Sequence, residues 1–218
     1  MSPKVARGLL PLLAGVFAAS LATSALAQED SLLDWSQTAA RGVFDLCRSD
    51  APDAARVAEH GEVWGWPSFQ GYQEHPEGYR REAGGDSRRD YQLGDASTYV
   101  EATVQSGTVP SVAPADVRYF RCNTDSDQPV NPDLKTYFTG LYGPPTSDTG
   151  AGTVWLTGAA LTPAATGEGP DAEAAALKAV AAAGPGKQGM RIELTRERGL
   201  DRAKLTLFRN GPAPDAAQ

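Results

Sequence analysis

Two cysteines, Cys47 and Cys122, constrain the fold of this 218-residue chain more than any other feature. If they pair, roughly 75 residues close into one loop, and the N-terminal third of the chain is tied to its middle. The first residues say that they do pair. Lys4 and Arg7 give a positive start, an apolar run follows from Leu9 to about Ala22, and Ala25 and Ala27 place small residues in the A-x-A pattern of a secretory cleavage site. Residues 1–27 are therefore expected to be a signal peptide, removed after Ala27. The run is short, contains Pro11 and Gly15 and lacks a charged stop-transfer flank, so a membrane anchor fits it less well. Two cysteines in an exported chain are expected to form one structural disulfide. No C-x-x-C spacing is present to make them redox-active.

The expected signal holds two cations and no acid, so the net charge of −7 becomes about −9 for the exported chain. That acidity leaves no electrostatic footprint for nucleic acid and no basic face for anionic lipid. No segment after residue 27 is apolar enough to span a bilayer. The reading is one domain over residues 28–210, periplasmic or secreted, with a frayed tail at 211–218.

Along the chain, Asp30 or Ser31 caps a first helix, and Leu32, Trp35, Ala39, Val43, Leu46 and Cys47 recur at intervals of three and four. Asp50 and Pro52 start a second helix, which Gly61 stops. Trp64, Trp66, Phe69 and Tyr72 follow in a turn broken by Gly and Pro. These aromatics either seal the edge of a core or form a stacking platform for sugar rings or peptide. Residues 73–90 are strongly polar and read as a solvated loop or loose hairpin tip. An anion site at Arg80, Arg81, Arg88 and Arg89 is opposed by the neighbouring acids. Strands are expected at 98–104, 117–123, 153–157, 190–196 and 203–208, the last two forming a hairpin about Gly199. A helix beginning at Asn131-Pro132-Asp133 presents Leu134, Tyr137, Phe138 and Leu141, and Gly143-Pro144-Pro145 ends it. The Ala/Gly/Pro-rich stretch 159–187 has Leu177 and Val180 as the only large apolar residues of its helical part, 171–183, and reads as an exposed helix or a mobile insertion. The sum is an α+β domain: an antiparallel sheet of about five strands, two to three helices packed on one face, and one disulfide.

Catalytic motifs are few. The sequence has no G-x-S-x-G, no phosphate-cradling Gly-rich loop and no H-E-x-x-H. A carboxylate pair for glycan cleavage depends on spacing in three dimensions, and no particular pair stands out. The pattern E-H-x-E occurs twice, at Glu59–Glu62 and Glu74–Glu77, on either side of the aromatic turn. If the turn brings them together, His60, His75, Glu62 and Glu77 suit zinc or copper. Otherwise they are exposed histidines in an acidic protein, and no cofactor is assigned.

The segment FDLCRSDAPDAARVAEHGEVWGW, with Phe44, Cys47, Pro52, Asp53, Gly65 and Trp66, resembles a group of short exported alphaproteobacterial proteins of unknown function. In that group a Phe-x-x-Cys helix precedes a Pro-Asp helix ending at Gly-Trp. A second cysteine precedes a helix ending near Gly-x-Pro, as Cys122, Gly143 and Pro145 do here. The resemblance covers most of the exported chain, apart from its Pro-rich and Ala-rich stretches. It implies a compartment and a fold, and carries no activity. The sequence therefore reads as a non-catalytic exported protein binding another cell-envelope component, protein or glycan. The alternatives are an envelope-glycan enzyme using carboxylates and a metal-binding protein using His60 and His75.

Overall fold

The computed structural model describes residues 33–45, 47–48, 73–74, 80–81, 87–94, 99–114 and 116–211, with side chains described for 33–45, 47–48, 100–114 and 116–211. The expected signal peptide, the second helix and the tail beyond Gly211 lie outside these residues.

The described chain is an α+β domain. Helix α1 (33–45, continuing at 47) leads to the strands β1 (Gln73–Glu74), β2 (Arg80–Arg81), β3 (Ser87–Gly94), β4 (Tyr99–Thr108) and β5 (Val117–Ser126). Helix α2 (Asn131–Tyr142), β6 (Ser147–Asp148), β7 (Gly152–Gly158), helix α3 (Gly169–Ala183), β8 (Gln188–Glu197) and β9 (Leu200–Asn210) complete it. Six long strands form one antiparallel sheet in the order β3-β4-β5-β9-β8-β7. The two-residue strands β1 and β2 lie along β3, and β6 lies along β7.

The five expected strands are all present, and the sixth is β3. Its residues fall partly in the stretch read as a solvated loop, and Ser87–Gly94 pairs in antiparallel register with Tyr99–Ser106 of β4. The charge of SRRDYQLG hid it. Polar and charged residues are common in strands near a sheet edge, where they discourage pairing with other chains.

The disulfide is formed. Cys47 at the end of α1 and Cys122 in β5 have Cα atoms 6.1 Å apart, and both are fully buried. Cys122 is registered between Val104 of β4 and Leu205 of β9, so the bond pins α1 to the centre of the sheet. Ala39, Val43 and Cys47 face the core as the sequence stripe requires, joined by Ser36, Ala40 and Phe44. Helix α2 lies on the same face. Phe138 packs edge-on against Phe44 (5.3 Å between ring centroids) and tilted against Trp155 (5.8 Å). Arg41 pairs with Asp133, and the Tyr137 hydroxyl donates to Asp45 while accepting from Arg48, so polar bonds rim the α1–α2 contact. Residue 130 caps α2 with no side-chain bond; instead the Asp201 carboxylate, from β9, accepts the Asn131 N–H at 2.9 Å.

Among the described residues, the face expected to carry two or three helices carries α1 and α2, and α3 lies on the other. Alternation along β7 shows the division: Trp155 belongs to the α1–α2 core, while Val154 and Leu156 belong to a second core with Val117, Tyr119, Phe208, Ala176, Leu177 and Val180. The stretch 159–187 is therefore neither an exposed helix nor a mobile insertion. Ala160, Ala165, Ala176 and Val180 are fully buried. Counting large apolar residues missed it, because the bulk of this core comes from the strands and the alanines let α3 approach closely. Gly189 marks how tight the packing is, since a Cβ there would lie 2.4 Å from the backbone nitrogen of Ala160.

Candidate functional site

The sheet face beneath α3 is apolar at one end and charged at the other. On β5, Val117 and Tyr119 give way to Arg121, Asn123 and Asp125. On β9, Phe208 and Thr206 give way to Lys204 and Arg202, and β8 contributes Arg191, Glu193, Thr195 and Glu197. Register sets these into rows: Arg121 opposite Thr206 and Arg191, Asn123 opposite Lys204 and Glu193, Asp125 opposite Arg202 and Thr195. Helix α3 covers the apolar end, and its first turn stops over Glu193, whose carboxylate accepts the Gly169 N–H at 2.8 Å. Beyond that point no described residue covers the charged half of the face. It floors a groove of about 590 Å³, with Glu168 on the rim accepting a hydrogen bond from Thr149.

Two ion-pair networks occupy the floor. In the inner one, Glu173 of α3 bonds Arg121 and also Lys204, the latter at 2.9 Å. Lys204 reaches Glu193 at 3.5 Å, and Glu193 holds Arg191 at 2.7 Å. Arg191 is almost wholly buried and also donates to the carbonyls of Gly167 (2.6 Å) and Ala165 (3.4 Å), tying the α3 approach to the sheet. In the outer network Arg202, half-exposed, donates to Asp125 and to Glu197, each at 3.0 Å. Four cations (Arg121, Arg196, Arg202, Lys204) and four carboxylates (Asp125, Glu168, Glu193, Glu197) line the groove, and Arg191 and Glu173 pair with members of that set, so the site is close to neutral within an acidic protein.

Proton affinities differ between the networks. Burial pushes the Glu173 carboxyl up, but Arg121 and Lys204 together outweigh it and hold it below the usual range. Glu193 behaves likewise: burial is overcome by Arg191, the Gly169 N–H and Lys204. At Asp125 the balance reverses. Burial raises it, with Glu197 adding, and Arg202 only partly compensates.

Of the residues singled out from sequence, Cys47 and Cys122 are brought together. Trp64, Trp66, Phe69, Tyr72, His60, His75, Glu62 and Glu77 lie outside the described residues. The backbone places Arg80 opposite Arg88, which brings part of the weighed arginine set into register. Among the described residues, no group of three His, Cys, Asp or Glu side chains is placed to hold a metal ion, and no helix is long and apolar enough to cross a membrane. The groove itself went unseen in the sequence. Its signal is the alternate-position charge in YFRCNTD, MRIELTRE and LDRAKLT, which marks a second, polar face on strands recognised by their apolar one.

No protein-family model, curated protein or solved structure matches the chain.

Proposed function

We propose that this protein is a non-catalytic, exported module of the periplasm that binds another cell-envelope component, and that the charged groove is its contact surface. The observation that carries the reading is the groove's construction. Its donors and acceptors stand on three adjacent strands and on α3 and are locked in each other's ion pairs, so little side-chain freedom is lost on binding. The core disulfide suits an oxidising compartment. Glu173 and Glu193, held below the usual carboxylate range, favour fixed charges over general acids, whose proton affinity must lie near the working pH. The aromatic turn Trp64–Tyr72 is a second contact surface in this reading.

The test is sedimentation of the oxidised chain with isolated envelope fractions. Retention that is lost in Arg202→Glu, with Lys178→Ala on the exposed side of α3 as control, supports it. Equal retention of Arg202→Glu sinks it.

One observation favours a second reading, an envelope-glycan enzyme. Asp125 and Glu197 flank Arg202 in the groove, and Asp125 is shifted upward as a general acid would be. Release of reducing ends from labelled envelope glycan, abolished in both Asp125→Asn and Glu197→Gln, would establish it in place of the binding reading.

A further inference from the structure

We propose that the groove's ligand is a neutral, hydroxyl-rich oligosaccharide, held where Arg202 stands between Asp125 and Glu197. This rests on the groove being the contact surface. Arg202 spends Nε on Asp125 and one terminal nitrogen on Glu197, both at 3.0 Å. A guanidinium has five donors, so donors remain, and each carboxylate keeps acceptor sites. The result is an acceptor–donor–acceptor row fixed across β5, β9 and β8, with all three side chains over a third exposed.

That row selects by charge. A ligand anion reaching Arg202 meets Asp125 and Glu197 on either side, and a ligand cation reaching either carboxylate meets Arg202. Neutral hydroxyls meet no such opposition. Each donates one hydrogen bond and accepts two, so adjacent hydroxyls on one sugar ring satisfy the donor and an acceptor together, in bonds strengthened by the protein's charges. The inner network repeats the alternation, with Lys204 between Glu173 and Glu193. The groove lining adds Asn123, Thr195, Ala151 and Gly169, polar or small side chains with no apolar pocket for the side chains of a bound peptide. The near-neutral floor and this alternation identify the occupant as a sugar chain and not a peptide.

The experiment is calorimetric titration of the purified, oxidised chain with three hydroxylated sugar tetramers that differ in charge: glucose (neutral), galacturonate (anionic) and glucosamine (cationic). The glucose tetramer is expected to bind best. Its affinity should change less than about twofold between about 50 and 200 mM salt, because no net charge is exchanged. Arg202→Leu should weaken it about tenfold or more, as expected for loss of a charged hydrogen bond, and Glu197→Gln should weaken it several-fold. Both sites are half-exposed, and unchanged thermal midpoints show that the variants are folded. Tighter binding of the galacturonate or glucosamine tetramer, falling steeply with salt and lost in Arg202→Leu, overturns the neutral-sugar inference and leaves the groove standing as the contact surface. Glucose-tetramer binding undiminished in Arg202→Leu overturns both. If no tetramer binds while envelope retention is still lost in Arg202→Glu, the sugar inference alone falls.

Discussion

Arg191→Met tests how α3 is held to the sheet. Arg191 is 2% exposed, and its guanidinium serves Glu193 and the carbonyls of Gly167 and Ala165. Methionine fills similar space and removes the charge. Glu193, itself 5% exposed, then keeps only the Gly169 N–H and Lys204 at 3.5 Å, and the carbonyls of Ala165 and Gly167 lose the Arg191 donor. Breaking a buried pair from one side costs about 3–5 kcal/mol, because the remaining charge stays buried without compensation. With a urea m-value of about 2 kcal/mol/M, the unfolding midpoint should fall by about 1.5–2.5 M under non-reducing conditions. The pH dependence supplies a second check. Glu193 is held below its ordinary value of 4.5, so its stabilisation is fully present above about pH 4.5 and is lost as pH falls through the lower, folded-state value. Arg191→Met removes the first-named partner responsible, so the variant should lose less stability than the parent on acidification below that point. A midpoint shift under about 0.5 M, or an unchanged acid profile, would show that the Arg191–Glu193 pair does not anchor α3.

Reducing the disulfide, or replacing both Cys47 and Cys122 by alanine, should cost up to about 4–5 kcal/mol from the loop of 75 residues, read as a lower urea midpoint; a loss under about 1 kcal/mol would mean that α1 holds its place without the bond. Gly189→Ala should cost about 2–3 kcal/mol in the same assay, because the new Cβ meets the Ala160 backbone and cannot be relieved by a side-chain rotation; a neutral result would show that the β8–Ala160 contact is loose. If the repeated E-H-x-E pattern binds metal, the chain purified without chelator should carry about one equivalent of zinc or copper by elemental analysis, lost in His60→Ala/His75→Ala; equal metal in both would end that reading.

Much of the fold was legible in the sequence because the repeats that produce it are local. Val100, Ala102 and Val104 alternate along β4, and Met190, Ile192 and Leu194 along β8, and each run turns one apolar face to the α1–α2 core. The spacing of Ala39, Val43 and Cys47 likewise forecasts the buried side of α1. The Cys47–Cys122 pairing followed from there being only two cysteines in a chain expected to be exported. Strand β3 escaped notice because its residues carry charge, and α3 because alanines take their burial from larger neighbours such as Tyr119, Leu156 and Phe208.

The sequence by itself determined the α+β class, the disulfide and most strands, since each depends on residue types a few positions apart or on pairing two unique cysteines. Tertiary structure alone decided that the helices divide between the two faces of the sheet and that α3 covers only half of its own. That choice depends on whether side chains far apart in the chain fit together: Ala176 and Val180 against Phe208 and Leu156 at one end, Glu193 against the Gly169 N–H at the other. The charged groove, with Arg202 between Asp125 and Glu197, is what remains of the sheet where that packing stops.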